Sequence, residues 1–127
     1  MKVQSSYRPW VVTADADERL AVAATRMQDE QVGSLVVLAY GRFAGILTER
    51  DLVRALADAA DPQVETVADY MTAGPAAIAP DADVHEVAAT MFELECRHLP
   101  VVDADGAVLG MVSIRDLLGT VVRLERG

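Results

Sequence analysis

The sequence predicts an α/β fold of the α+β kind, built as tandem β-α-β-β-α repeats packed sheet to sheet with pseudo-two-fold symmetry. Three observations predict it. The stretch Gly45-Ile46-Leu47-Thr48-Glu49-Arg50-Asp51 returns as Gly110-Met111-Val112-Ser113-Ile114-Arg115-Asp116, each copy a glycine, two apolar residues, a hydroxyl and an aspartate three positions on. Each copy is preceded by a helical apolar stripe and a nearly uninterrupted apolar run, which reads as a strand covered on both faces. One such unit cannot cover its own sheet with its own helices, whereas two units together can.

The elements follow in order. Residues 1–9 show no periodicity and form an N-terminal arm. Trp10-Val11-Val12 reads as a short strand, and Asp15 or Asp17 as the cap of a helix whose stripe is Leu20, Ala23, Ala24 and Met27. Ser34 to Tyr40 is the covered strand, Tyr40-Gly41-Arg42 the turn, and Phe43 to Leu47 the return strand. A helix is expected from Thr48 to about Ala60 with Leu52, Val53 and Leu56 inward, ended by Asp61-Pro62. A connecting segment follows, with one helical turn around Val67 to Met71. The pattern then restarts. Ala76-Ala77-Ile78 is the short strand, Asp81-Ala82-Asp83 the cap, and Val84, Val87, Ala88 and Met91 the stripe. Leu99 to Val102 and Ala107 to Val112 are the hairpin strands around the turn Asp103-Ala104-Asp105-Gly106. The last helix starts at Ser113 and carries Leu117, Leu118, Val121 and Leu124. The expected organisation is an arm at 1–9, repeat 1 at 10–60, a linker at 61–71, repeat 2 at 72–122 and a tail at 123–127.

A shift of 65 residues aligns the halves without a gap from Val22/Val87 to Leu52/Leu117, pairing Val-Ala-Ala-Thr (22–25) with Val-Ala-Ala-Thr (87–90). The Asp-Ala-Asp caps align at 66, which implies one extra residue near Glu18 in the first half.

Composition bounds the function. The 127 residues fit one domain, and a hydrophobic fraction of 52% supplies a core. No apolar run approaches the roughly 20 residues that span a bilayer, and the N-terminus has no apolar region of a secretory signal. A cytoplasmic location with no membrane contact is the expectation. Cys96 is the only cysteine, so there is no internal disulfide framework and no thiol-rich metal site. It reads as a small packing residue. A net charge of −9 speaks against a general nucleic-acid surface. Ten of the eleven cations are arginine, so an anionic ligand would be met by locally placed Arg.

The duplicated motif sits where a strand hands over to a helix. There Thr48 or Ser113 can cap the helix and leave first-turn N–H groups facing an incoming anion or sugar hydroxyl. The plain alternative is a cap with no ligand, since a carboxylate at Asp51 or Asp116 suits a helix N-terminus in any case. Arg50 and Arg115 read as solvated or paired with neighbouring acids, His98 is open between a half-buried histidine and a ligand contact, and His85 belongs to a solvated helix face. The Asp15/Asp17 and Asp81/Asp83 pairs read as caps rather than metal ligands.

These residues resemble the cystathionine β-synthase (CBS) domain pair, or Bateman module. The Gly-x-x-(Thr/Ser)-x-x-Asp that closes each hairpin carries the likeness, together with Arg97-His98-Leu99-Pro100-Val101-Val102-Asp103. It extends from Trp10 to Leu118. The resemblance implies binding of an adenine nucleotide (AMP, ADP, ATP or a related adenosyl ligand) in the cleft between repeats, with control of a partner protein. It implies ribose contacts from Asp51 and Asp116 and phosphate contacts from Thr48 and Ser113. Arg97 and His98 match basic positions that meet phosphate in the nucleotide-sensing subunit of AMP-activated protein kinase. Val12-Thr13 and Ala77-Ile78 lie where the family's first strand flanks adenine, and Ile46 and Met111 complete the expected ligand set.

That chemistry suits the residue types. An ionised carboxylate accepts two hydrogen bonds from a cis-diol, and a planar guanidinium grips phosphate bidentately. At the 65-residue shift, Arg97 and His98 face Val32 and Gly33 in the first repeat, so two unequal sites are expected. The aspartate that shares a site with Arg97 is open. A Walker lysine loop, a Gly-x-Gly-x-x-Gly and a Gly-x-Ser-x-Gly elbow are all absent from the sequence. The expectation is a nonenzymatic sensor that needs no cofactor and signals by a population shift to an unidentified regulated protein. The alternative is a ligand-independent module for homodimerisation or docking, served by an apolar outer helix surface at Leu117, Leu118 and Val121.

Overall fold

The computed structural model describes Lys2, residues 11–73 and residues 77–126, and the chain divides into two compact units. In the first, strands β1 (Thr13–Asp15), β2 (Ser34–Ala39), β3 (Arg42–Thr48) and β4 (Thr72–Ala73) form one sheet in the order β1-β2-β3-β4. Helices α1 (Leu20–Glu30), α2 (Glu49–Ala57) and α3 (Val67–Tyr70) complete the unit. β1 joins β2 in parallel through the α1 crossover, and β2 and β3 form an antiparallel hairpin. Alternate strand residues Leu35, Val37 and Leu47 meet Leu20, Ala23 and Met27 of α1 in the core. Each leucine, valine or methionine side chain so taken from water contributes about 1.5–3 kcal/mol. Leu35, Val36 and Val37 are consecutive and all buried, so this strand is covered on both faces.

The second unit repeats the plan with α4 (Val84–Leu94), the hairpin β5 (His98–Val102) and β6 (Val108–Ser113), and α5 (Ile114–Arg126). Val84, Val87 and Met91 of α4 pack with Leu99, Val101, Val112 and Leu117. The short strand expected at Ala76-Ala77-Ile78 reduces to a single parallel bridge, Ile78 with Val101. Ile78 still donates its N–H to the Pro100 carbonyl (3.0 Å) and accepts from Val102 N–H (2.9 Å). Ala76 lies outside the described residues, as do Trp10 and all of the arm except Lys2.

Five sequence expectations are corrected. The first strand lies at Thr13–Asp15, not at residues 10–12; Val11 and Val12 precede it. Neither Asp15 nor Asp17 caps α1. Its N-cap is Arg19, with no side-chain cap, because the linker supplies carbonyls: Leu20 N–H donates to Glu65 O and Ala21 N–H to Pro62 O, both at 3.0 Å. By contrast Asp83 caps α4, accepting the His85 N–H at 2.8 Å. α2 ends at Ala57, and Val53 and Leu56 point outward at 63% and 75% exposure while Asp51 and Ala55 take the inner face. Leu117 is buried, so it belongs to the core and not to an outer surface of α5.

The repeat register is the fifth correction. The core positions Ala14/Ile78, Leu20/Val84, Ala23/Val87, Met27/Met91, Leu35/Leu99 and Val37/Val101 are all 64 residues apart. The left-handed helix ends Gln31 and Glu95 keep the same spacing. Only beyond the hairpin turn does the spacing become 65, as at Leu47/Val112. The extra residue is in the second turn: residues 39–42 lie between the paired Leu38 and Phe43, residues 103–107 between Val102 and Val108. No residue is inserted near Glu18. In the first turn Tyr40 and Gly41 both have positive φ (53° and 77°), the geometry of a two-residue hairpin. In the second, Asp103 Oδ1 accepts the N–H groups of Asp105 and Ala107 at 2.9 Å, which holds a longer loop around Gly106 (φ 86°).

Candidate functional site

Each motif folds into the corner its sequence implies. β3 delivers Thr48 in an extended conformation (φ −117°, ψ 167°), and α2 begins at once. Asp51 N–H donates to Thr48 Oγ1 (3.2 Å), while Thr48 N–H and Oγ1–H donate to Asp51 Oδ2 (2.9 and 3.1 Å). Ser113 and Asp116 repeat this: Asp116 N–H donates to Ser113 Oγ (3.0 Å) and Ser113 N–H to Asp116 Oδ2 (3.1 Å). Both corners are reciprocal capping boxes with an aspartate in place of the usual Glu or Gln.

A third box stands at Thr66 and Asp69 before α3, with Thr66 N–H and Oγ1–H donating to Asp69 Oδ2 (2.9 and 3.1 Å). The Thr66 N–H holds the Asp69 carboxyl below its ordinary range, whereas the hydrogen bond to Asp69 holds Glu65 above its own. Thr-x-x-Asp alone is therefore a helix-start device. The duplicated corners are more enclosed: Asp51 is 6% exposed and Asp116 half-buried, while Asp69 lies on the surface.

The strands distribute the other expected residues by face. Directly paired residues share a face, and neighbours along a strand alternate. Thr13 pairs Val36, Val36 pairs Ile46, and Ile46 pairs Thr72, giving one row across the first sheet. Thr48 lies two residues beyond Ile46, so Thr13, Ile46 and Thr48 lie on the face opposite the helix-packed Leu35, Val37 and Leu47. Val12 precedes Thr13, and its carbonyl accepts Val36 N–H at 3.0 Å. In the second unit His98 pairs Ser113 and Pro100 pairs Met111, again opposite the face that carries Leu99, Val101 and Val112. Ala77 is exposed beside the buried Ile78.

Arg97 sits at the second corner: its carbonyl accepts the Ile114 N–H at 2.8 Å, one residue into α5. The equivalent bond in the first unit runs from Glu49 N–H to the Gly33 carbonyl (3.1 Å). Arg97 and His98 therefore correspond to Gly33 and Ser34, not to Val32 and Gly33. A side chain at residue 33 would meet Glu49 Oε1 at 3.1 Å. The first corner thus combines Glu49 and Asp51, with Arg54 3.6 Å from Asp51 Oδ1, whereas the second combines Asp116 with the exposed Arg97 and His98. Electrostatically the second is the better host for an anion.

Sequence reading missed Arg54. Its Nη2 lies 3.6 Å from Asp51 Oδ1, an Asp-x-x-Arg spacing within one helical turn that could have marked it. It also missed β4, whose two residues bring Thr72 beside Ile46. Burial raises the Cys96 thiol above its ordinary value, as expected for a packing residue. Among the described residues no group of three or more His, Cys, Asp or Glu is placed to hold a metal ion, and no helix is long and apolar enough to cross a membrane.

Two β-α-β-β-α units, each closing its hairpin on a hydroxyl–aspartate capped helix, define a tandem-repeat α+β module. The chain belongs to the CBS domain family, whose model, described as "CBS domain", matches residues 11–58 and 67–123. It is 39% identical over 100 residues to an uncharacterised 17.7 kDa protein of Acidianus ambivalens, covering 77% of this chain and 59% of that one. It is 31% identical over 96 residues to CBSCBSPB3 of Arabidopsis thaliana, covering 75% of this chain and 17% of that protein. The chain therefore spans less than two thirds of the length of either relative. Among solved structures, the CBS domain pair of protein MJ0100 in complex with 5′-methylthioadenosine and S-adenosyl-L-methionine superposes with a TM-score of 0.84. It is 25% identical, with 94% of each chain covered.

Proposed function

We propose that this chain is a nonenzymatic regulatory module that binds an adenosine-bearing ligand at its capped corners and passes the binding to a regulated protein as a conformational shift. The observation that carries this reading is the second corner, where Arg97 and His98 stand beside the Ser113–Asp116 box. A carboxylate offers acceptors to a ribose diol, and the two basic side chains offer charge to a phosphate. Thr48 and Asp51 are the corresponding pair of the first corner, with Val12, Thr13, Ala77, Ile78, Ile46 and Met111 as apolar or adenine-flanking contacts. The adenosyl ligands of the MJ0100 domain pair support the choice of ligand class. The repeats are assigned to 10–60 and 72–122 and the module to the cytoplasm. AMP, ADP, ATP and S-adenosylmethionine are the ligands to try.

Isothermal titration of the wild type beside Asp51→Ala and Asp116→Ala tests this reading. Micromolar heat that disappears in one variant supports it and names the corner in use. No heat from any of the four ligands, with folded and ligand-free protein, defeats it.

A second reading is a ligand-independent homodimerisation module. Leu118 and Val122 lie one turn apart on α5 and are exposed, and Val53 and Leu56 are exposed on α2. Retention of dimers by both aspartate variants together with unchanged regulation favours this second reading.

A further inference from the structure

The first corner carries a guanidinium on the same helix as its aspartate. Arg54 stands one turn beyond Asp51 on α2, with Nη2 3.6 Å from Asp51 Oδ1. The same nitrogen donates to the Tyr70 carbonyl at 2.6 Å, and the guanidinium carbon lies 5.4 Å from the centroid of the Tyr70 ring. Tyr70 is itself tied to α2, its hydroxyl donating to Asp58 Oδ2 at 3.1 Å. The guanidinium is therefore pinned from the α3 side and not simply free in solvent. Asp51 Oδ2 is already engaged by the N–H and hydroxyl of Thr48, which leaves Oδ1 as the oxygen with acceptor capacity to spare. That oxygen is the one facing Arg54. The equivalent helix position in the second repeat, 65 residues on, is Gly119, where a Cβ would lie 3.5 Å from Nη1 of Arg123.

We propose that Arg54 is the specificity-determining residue of the first corner: its guanidinium competes with a ligand diol for Asp51 Oδ1, so this corner is self-occupied and weak until Arg54 swings away. The inference rests on the adenosyl reading and deepens it. It also ties occupancy of the first corner to the Tyr70 turn, because a ligand that displaces Arg54 from Asp51 acts on a side chain that also holds the Tyr70 carbonyl.

The test is isothermal titration with AMP and with S-adenosylmethionine on an Asp116→Ala background, which isolates the first corner. Arg54→Gln removes the cation and retains a donor for the Tyr70 carbonyl; Arg54→Lys retains the charge. Arg54→Gln is expected to bind about two- to fivefold tighter than its parent, the size of an exposed ion pair removed from the competition. Arg54→Lys is expected to stay near the parent, and Asp51→Asn to abolish the gain. Equal or weaker binding by Arg54→Gln, with ligand still bound by the parent, overturns the role of Arg54 and leaves the adenosyl reading standing. No binding by the wild type or any variant overturns both.

Discussion

Asp51 and Thr48 satisfy each other: the hydroxyl of Thr48 accepts the Asp51 N–H, and one carboxylate oxygen of Asp51 takes back both the N–H and the hydroxyl of Thr48. The proposed ligand contact and the structural role of the motif thus share one geometry. The box orients the carboxylate and occupies Oδ2, and it stabilises the start of α2 whether or not a ligand arrives. Thr48→Ala is expected to cost about 1 kcal/mol of stability, the usual cost of an N-cap lost to alanine. Thr48→Ser, which keeps the oxygen, is expected to recover most of it. Urea unfolding of the two variants beside the wild type measures this, and equal midpoints for alanine and wild type would show that the box carries no stability.

Gly45, the first residue of the same motif, is fixed by a different contact. A Cβ at this position would lie 2.5 Å from the Thr72 carbonyl oxygen and 3.1 Å from Met71 Sδ. The glycine admits β4 against β3, where Gly45 pairs with Ala73. Gly45→Ala is expected to destabilise by about 1–3 kcal/mol, in the range of overpacking, by pushing β4 away. Hydrogen exchange should locate the loss in the Thr72–Ala73 amides and not in α1. Unchanged stability and exchange would mean that β4 is not held against Gly45 in solution.

The parts of this fold legible in the sequence are those governed by local periodicity and local capping. The β2 run Leu35-Val36-Val37, the α4 stripe and the Asp83 cap are all set by residues within a turn or two of each other. The first cap was not legible, because Leu20 and Ala21 are satisfied by the Glu65 and Pro62 carbonyls, more than forty positions on. Val53 and Leu56 misled for the opposite reason: apolar spacing on α2 marks an inward face only when no neighbour competes for it, and the inner face here belongs to Asp51 and Ala55. Of the candidate site, the corners and their asymmetry were readable from letters. The Asp51-x-x-Arg54 spacing was there to be read, but the hold of Arg54 on the Tyr70 carbonyl, 16 residues away, was not.

The cap of α4 gives a pH prediction. The His85 N–H holds the Asp83 carboxyl below its ordinary value, with partial burial opposing. A depressed folded value means that the stabilisation is present above the ordinary carboxylate value and disappears as pH falls through the folded one. The window therefore opens below about pH 4. The His85 amide resonance, followed from pH 5 downward, is expected to shift only once the pH falls below about 4. Asp83→Asn should flatten that response. An Asp83→Asn titration that matches the wild type would assign the shift to another group.

The most direct test of the repeat register compares two valines that the letters treat as one. Val-Ala-Ala-Thr begins at Val22 in the first repeat and at Val87 in the second, yet Val22 is 50% exposed on α1 and Val87 is 1% exposed in the second core. The structural counterpart of Val87 is Ala23, fully buried and 64 residues earlier. The identical tetrapeptides therefore sit a residue apart on their helices, about 100° of rotation. Val87→Ala is expected to cost about 2 kcal/mol through lost burial and a residual cavity. Val22→Ala should stay within about 0.5 kcal/mol of the wild type, as surface substitutions do. Thermal or urea unfolding of both variants separates the registers: similar losses at the two sites would restore the 65-residue alignment of the helices, and a large loss at Val87 alone supports the 64-residue one.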